Sequence, residues 1–410
     1  MNTATRDRAA THRTALGFLF LNVGHFFDHF LMLVFATVAA LHLSQAWGLS
    51  YAELIPYATP GFVAFGLFAI PAGWLADKWS RERMMCIFFL GAGIAAMGTA
   101  VATTPVHIGI GLFIIGVFAA IYHPVGLPMV IQGRQRTGVV LAINGVWGNL
   151  GVACAALVTG FVMDVAGWRW AFVVPGMLCF ACGIAYAWFL SQPAAADDEA
   201  RVAAAGKPKS TPSDLPVGLL VRILLVVFFT TALGGLIFQS TTFALPKVFD
   251  ERLTDLASSA TGVGGYAFVV FALAAGGQLV VGYLLDRRRL RSVFLVVAAM
   301  QSLLFFVMQQ LSGPMALLVS IGFMLVVFGQ IPINDVLLGR ITRSEWRSRM
   351  FACRYVVTLS VMASAVPLIA WVHATWGFER LFIVLGVAAS LVFAAVLSLP
   401  RELGEPKPQT

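Results

Sequence analysis

The sequence predicts an all-α membrane protein, twelve transmembrane helices in two pseudo-symmetric six-helix bundles, and three observations carry that expectation. Hydrophobic residues fill 59% of the 410 positions and charged residues 11%, an inventory from which no water-facing surface can be assembled. Apolar runs recur at about 20 residues, the helical length that crosses a hydrocarbon layer about 30 Å thick. A single long polar stretch, "SQPAAADDEARVAAAGKPKSTPSDLP" at 191–216, falls midway along the chain.

Taken in order, the runs cover 15–42, 51–76, 83–103, 106–131, 138–162 and 169–190 before that stretch. After it come 217–243, 258–285, 292–311, 314–339, 350–373 and 377–399. They lack the two-residue alternation of a membrane barrel, whose strands need only about 10 residues. The first run exceeds the length of a signal-peptide core and is expected to persist in the mature chain. The polar stretch, rich in Ala, Pro and charge, reads as a cytoplasmic linker between an N-terminal bundle at 1–190 and a C-terminal bundle at 217–410.

The net charge of +8 does not point to nucleic acid, because the cations fall in alternate connections. One side carries Arg6, Arg8, Arg13, Lys78, Arg81, Arg83, Arg134, Arg136, Arg201, Lys207, Lys209 and Arg222, continuing through Arg287–Arg289, Arg291, Arg340, Arg343, Arg347, Arg349, Arg354, Arg401 and Lys407. The other side carries only Arg169, Lys247, Arg252 and Arg380. This bias predicts that both termini are cytoplasmic in a plasma (bacterial inner) membrane, and an even number of spans agrees. The cysteines Cys86, Cys154, Cys179, Cys182 and Cys353 fall within or beside spans, as small packing residues do.

The halves repeat. "GWLADKWSRER" from Gly73 matches "GYLLDRRRLR" from Gly282, and "GWRWAFVVPG" from Gly167 matches "GFERLFIVLG" from Gly377. Copies of six spans keep one orientation, so an axis along the membrane normal is expected to relate them. With Gly73, Leu75, Ala76, Asp77, Lys78 and Arg81, and a weaker second copy at Gly282, Leu284, Asp286 and Arg287, the sequence resembles the major facilitator superfamily over nearly its whole length. Ser80 and Glu82 depart from the usual loop pattern. The resemblance implies two bundles rocking about a central cavity, with Asp77, Lys78, Arg81, Asp286 and Arg287 as gating residues. "AAIYHPVG", with Tyr122, His123 and Pro124, resembles the fosmidomycin-resistance-like branch of drug:proton antiporters. The implied activity is proton-coupled efflux of a small organic compound or drug by a monomer without cofactor, the alternative being uptake of a small organic acid or metabolite. No enzymatic role is expected.

The most informative polar stretch is "GHFFDHF" at 24–30. A carboxylate at mid-span costs about 2.5–3.5 kcal/mol on insertion scales, so Asp28 must face protein or a wet cavity. His25 and His29 share a helical face, His25 is within reach of Asp28, and Asn22 extends the stripe by a turn. At the repeat offset of Gly167 to Gly377, these histidines and Asp28 correspond to Gly235, Gln239 and Phe238, so the architecture itself does not demand an acid. Burial disfavours a charged carboxylate and a nearby protonated histidine favours it, a balance that makes Asp28, His25 and His29 the expected proton-coupling group.

Other candidates follow from depth. His123, beside Tyr122, either relays protons, contacts substrate or is satisfied near the interface, and Pro124 frees a backbone carbonyl beside it. Asn144, Asn149 and Gln239, with Asn22, are expected to line the substrate cavity or to bond between helices. Gly145, Gly148 and Gly151 are expected to let helices approach closely. Asp335 and Arg354 are expected to pair, as a gate or as structure. A metal role for His25, Asp28 and His29 is disfavoured, because no Cys or second carboxylate joins them in the first span.

Overall fold

The computed structural model describes residues 3–132, 137–192, 216–342 and 344–400, so the expected linker lies almost wholly outside the described residues, as do Arg134, Arg136, Arg343, Arg401 and Lys407. Within them all regular structure is helical. Among the described residues, eleven helices are long and apolar enough to cross a membrane. We number them α1 (Arg13–Ala46), α2 (Tyr51–Lys78), α3 (Arg81–Thr99), α4 (Pro105–Ile131), α5 (Val139–Ala166), α6 (Trp170–Ser191), α7 (Val217–Arg252), α8 (Ala260–Arg287), α9 (Leu290–Met308), α10 (Gly313–Ile341) and α11 (Cys353–Leu397). The last two expected spans are continuous in α11, but Gly377 breaks it at φ 71°, a left-handed conformation that costs glycine nothing. Each side of that break is long enough to span.

Helix starts are written locally. Ser80 precedes α3 and accepts from the Arg83 amide, Thr104 precedes Pro105 of α4 and accepts from His107, and Ser259 caps α8 through Gly262. Each cap satisfies a donor that a helix end leaves open. A π-helical turn lies at Ala39–Leu43 inside α1, and another at Tyr122–Gly126 inside α4. Pro124 supplies no amide there, and a widened turn accommodates the lost bond.

The chain divides into two compact units, Met1–Phe35 with Pro60–Lys209, and Ala36–Thr59 with Ser210–Thr410. The first packs buried aromatics such as Phe88, Phe89, Tyr122 and Phe172. The second has a core of Ile223, Val227, Phe294, Leu337 and Val392, and it includes Tyr51, whose ring meets His373 edge-on at 5.3 Å. Large apolar side chains such as Leu67, Ile70, Ile184, Val280 and Val296 point outward, as a lipid solvent requires.

Candidate functional site

The polar stripe of α1 lies inside the first unit. Asp28 is 1% exposed, His25 7% and Asn22 3%. The stripe is buried because α5 comes unusually close. A Cβ at Gly151 would stand 2.2 Å from the Phe26 carbonyl oxygen, and one at Gly148 would stand 2.7 Å from His25 Nε2. Only glycine permits both contacts, so these two positions have the close-approach role expected of them.

Asp28 meets His123, not His25: His123 Nε2 lies 3.2 Å from Asp28 Oδ2. The expected approach of His25 to Asp28 is therefore corrected. His25 turns toward α5 and donates from Nδ1 to the main-chain oxygen of Asn144 at 2.8 Å. Helical spacing brought His25 within reach, but a strong acceptor on the neighbouring helix claims its ring. His123 belongs to the π turn of α4, which carries its ring onto the Asp28 face.

Three imidazoles thus cluster here, and one of them, His123, faces the Asp28 carboxylate. The rings of His25 and His29 have centroids 5.0 Å apart, those of His25 and His123 5.4 Å, and those of His29 and His123 5.6 Å. Tyr122 stacks on His25 at 4.8 Å and donates its hydroxyl to the Leu21 carbonyl at 2.8 Å. Asn144 Nδ2 donates to Asn22 Oδ1 at 3.0 Å and to the Tyr122 hydroxyl at 2.9 Å. The polar groups of Asn22, Tyr122 and Asn144 are engaged with one another and with main chain, which fixes the tilt and side of the His25 ring.

The remaining candidates are dispersed. Asn149 is buried on α5, one turn beyond Asn144. Gln239 is buried on α7 in the second unit, and its Nε2 has no hydrogen-bond partner among the described residues. Asp77 and Arg81 pair at 2.7 Å on an exposed rim beside exposed Lys78. Asp286 and Arg287 are exposed, the Arg287 guanidinium lying 3.9 Å from the centre of the Tyr283 ring. Arg354 pairs with Asp335 between α11 and α10.

Sequence reasoning missed a neutral polar group in the second unit. Thr230 donates to Asn334 Oδ1 at 3.0 Å, and Gln330 Nε2 approaches the Thr230 carbonyl at 3.5 Å. The signal was present as "QIPIND", in which Gln330 and Asn334 are four apart on one helical face. The two units therefore hold different chemistry. The first sets a carboxylate beside imidazoles, whereas the second places uncharged donors and acceptors near the Asp335–Arg354 pair.

The sequence model described as Major Facilitator Superfamily matches residues 21–337. A gallate transporter of Pseudomonas putida is 24% identical over 323 residues, 72% of this chain and 70% of that protein. A niacin transporter of Acinetobacter baylyi is 30% identical over 138 residues, 33% of this chain, and the match spans only 31% of that transporter's length. Among solved structures, a D-xylose-proton symporter superimposes with a TM-score of 0.72 at 15% identity, covering 95% of this chain and 98% of that one. That likeness speaks for the fold.

Proposed function

The chain belongs to the major facilitator superfamily, and from that premise we propose that it is a proton-coupled secondary transporter of a small organic compound, with Asp28 as the residue that carries the coupling proton. The observation that supports this reading is the 3.2 Å approach of His123 to a carboxylate 1% exposed on α1. A carboxyl group at that depth beside an imidazole can hold its proton in one environment and release it in another. If alternating access exposes it to opposite aqueous phases, proton occupancy biases the rocking equilibrium by the difference in proton affinity between states. One unit of that difference is worth about 1.4 kcal/mol, or tenfold in population.

In this reading the twelve crossings form two six-helix bundles in a bacterial inner membrane with both termini cytoplasmic, and the transporter acts as a monomer. His25 and His29 tune the pair, while Asn22, Tyr122 and Asn144 hold His25 in place. Asn149, Gln239 and the neutral set on α7 and α10 are cargo contacts. Asp77, Lys78, Arg81, Asp286 and Arg287 gate the cytoplasmic rim, with Asp335 and Arg354 as a second gate. Export of a small organic compound or drug is the first direction, supported by the motif at Tyr122–Gly126. Uptake of a small organic acid is the second, favoured by the likeness to the gallate transporter over 72% of the chain.

Expression in an efflux-deficient bacterium separates the two directions: resistance to members of a toxic-compound panel supports export, and growth on gallate supports uptake. Proteoliposomes test the coupling. Asp28→Asn is expected to insert normally and to lose all stimulation by an imposed pH gradient. Undiminished gradient-driven transport by that variant rules out the assignment.

A further inference from the structure

We infer that His25, His29 and His123 form a binding site for one divalent transition-metal ion of the zinc class, with Asp28 and the Asn144 carbonyl as the groups that orient it. The inference goes beyond proton coupling and holds whether or not Asp28 carries the coupling proton.

One ligand atom from each imidazole lies within 4.8 Å of one from each of the others. A tetrahedral zinc site with Zn–N bonds of about 2.0–2.1 Å needs nitrogens somewhat closer than that, so modest side-chain rotation closes the site. Three imidazoles suit zinc, nickel or cobalt, and three protein ligands leave a fourth position open.

The groups behind the rings point the same way. Imidazoles that bind metals donate their far nitrogen to a carbonyl or carboxylate, which fixes the tautomer and the ring direction. His25 does so: the Asn144 carbonyl can only accept, so Nδ1 carries the proton and Nε2 of the neutral ring carries the lone pair. That Nε2 is buried and has no hydrogen-bond partner among the described residues. An unpaired imidazole nitrogen in a membrane interior is costly, and a metal ion is one group that satisfies it. His123 faces Asp28 with its Nε2, a carboxylate–histidine pairing of the same kind. Two features of the fold build the triangle: the π turn presents His123, and Gly148 leaves room for the His25 ring. The sequence alone argued against a metal because span one supplies too few ligands, and the third ligand comes from α4.

The test is equilibrium binding of Zn2+ to the purified full-length protein in lipid nanodiscs, without any gradient or cargo. The wild type is expected to take up one ion per chain saturably, and X-ray absorption is expected to show imidazole nitrogens at about 2.0–2.1 Å. His25→Ala, His29→Ala and His123→Ala are each expected to abolish that uptake. Asp28→Asn is expected to weaken it by about 10–100-fold, and His107→Ala, on the Thr103 side of α4, to leave it unchanged. Absence of stoichiometric binding to the wild type overturns the inference, as does binding that survives loss of His25 in a variant eluting as a monodisperse species. Neither result touches the gradient assay of Asp28→Asn, so the two proposals fail separately.

Discussion

The first unit and the second apply one repeat to different ends. In the first unit, His25 and His29 of α1 cluster with His123 of α4, which faces the buried Asp28, while α5 holds His25 through the Asn144 carbonyl. At the corresponding place on α7 stand Gly235, Phe238 and Gln239, with Phe238 packed on Phe328 at 5.6 Å between ring centres. Nearby polarity in the second unit is neutral, from Thr230, Gln330 and Asn334. A position that one copy fills with an acid and the other with a phenyl ring is not set by the helical scaffold. The contrast argues that the acid is kept for chemistry, at an insertion cost of about 2.5–3.5 kcal/mol.

Substitutions that erase or exaggerate this contrast differ widely in expected effect. The largest is Asp28→Asn, which is expected to make the two copies alike and to eliminate gradient stimulation in proteoliposomes. The mirror change, Phe238→Asp, places an acid against the Phe328 ring instead of an imidazole. It is expected to destabilise the protein by about 3 kcal/mol, read as a lowered Tm in detergent, without creating a second coupled proton. Gly148→Ala keeps every polar group but drives a methyl into His25, 2.7 Å from Nε2. Overpacking of this kind costs about 1–3 kcal/mol, and the variant is expected to lose zinc binding while keeping the Asp28–His123 pair. Thr230→Val removes one neutral hydrogen bond in the second unit. It is expected to cost about 1 kcal/mol and to raise the KM for cargo without altering the gradient response. Smallest is Asp77→Asn, which removes an exposed i,i+4 pair with Arg81. Its effect on stability is expected to be within about 0.5 kcal/mol, read from Tm, so a large loss of transport in that variant would speak for gating.

Much of the fold was legible because lipid imposes a simple rule, long apolar helices with charges at the turns, and hydropathy reads it directly. The break at Gly377 divides α11 near the expected boundary between 350–373 and 377–399, yet helical structure resumes at once on its far side. The site was legible only along one helix. Spacing placed Asn22, His25, Asp28 and His29 on adjoining faces, because local periodicity fixes that. Partner choice was not legible, since Asp28 meets a residue ninety-five positions away through a π turn whose register depends on Pro124 and on packing against α1. For the same reason His25 was assigned to its near neighbour, whereas the Asn144 carbonyl holds it. The polar set of α10 was readable as "QIPIND" and was passed over because its members are uncharged.

Coupling of this kind requires Asp28 to gain and lose a proton within the bilayer. Infrared difference spectroscopy of the protein in lipid, titrated with pH, reads the carboxylic C=O stretch of a buried acid without any cargo. A band that appears and disappears reversibly in the wild type and is missing in Asp28→Asn is the predicted result. Spectra in which the two proteins titrate identically would contradict it.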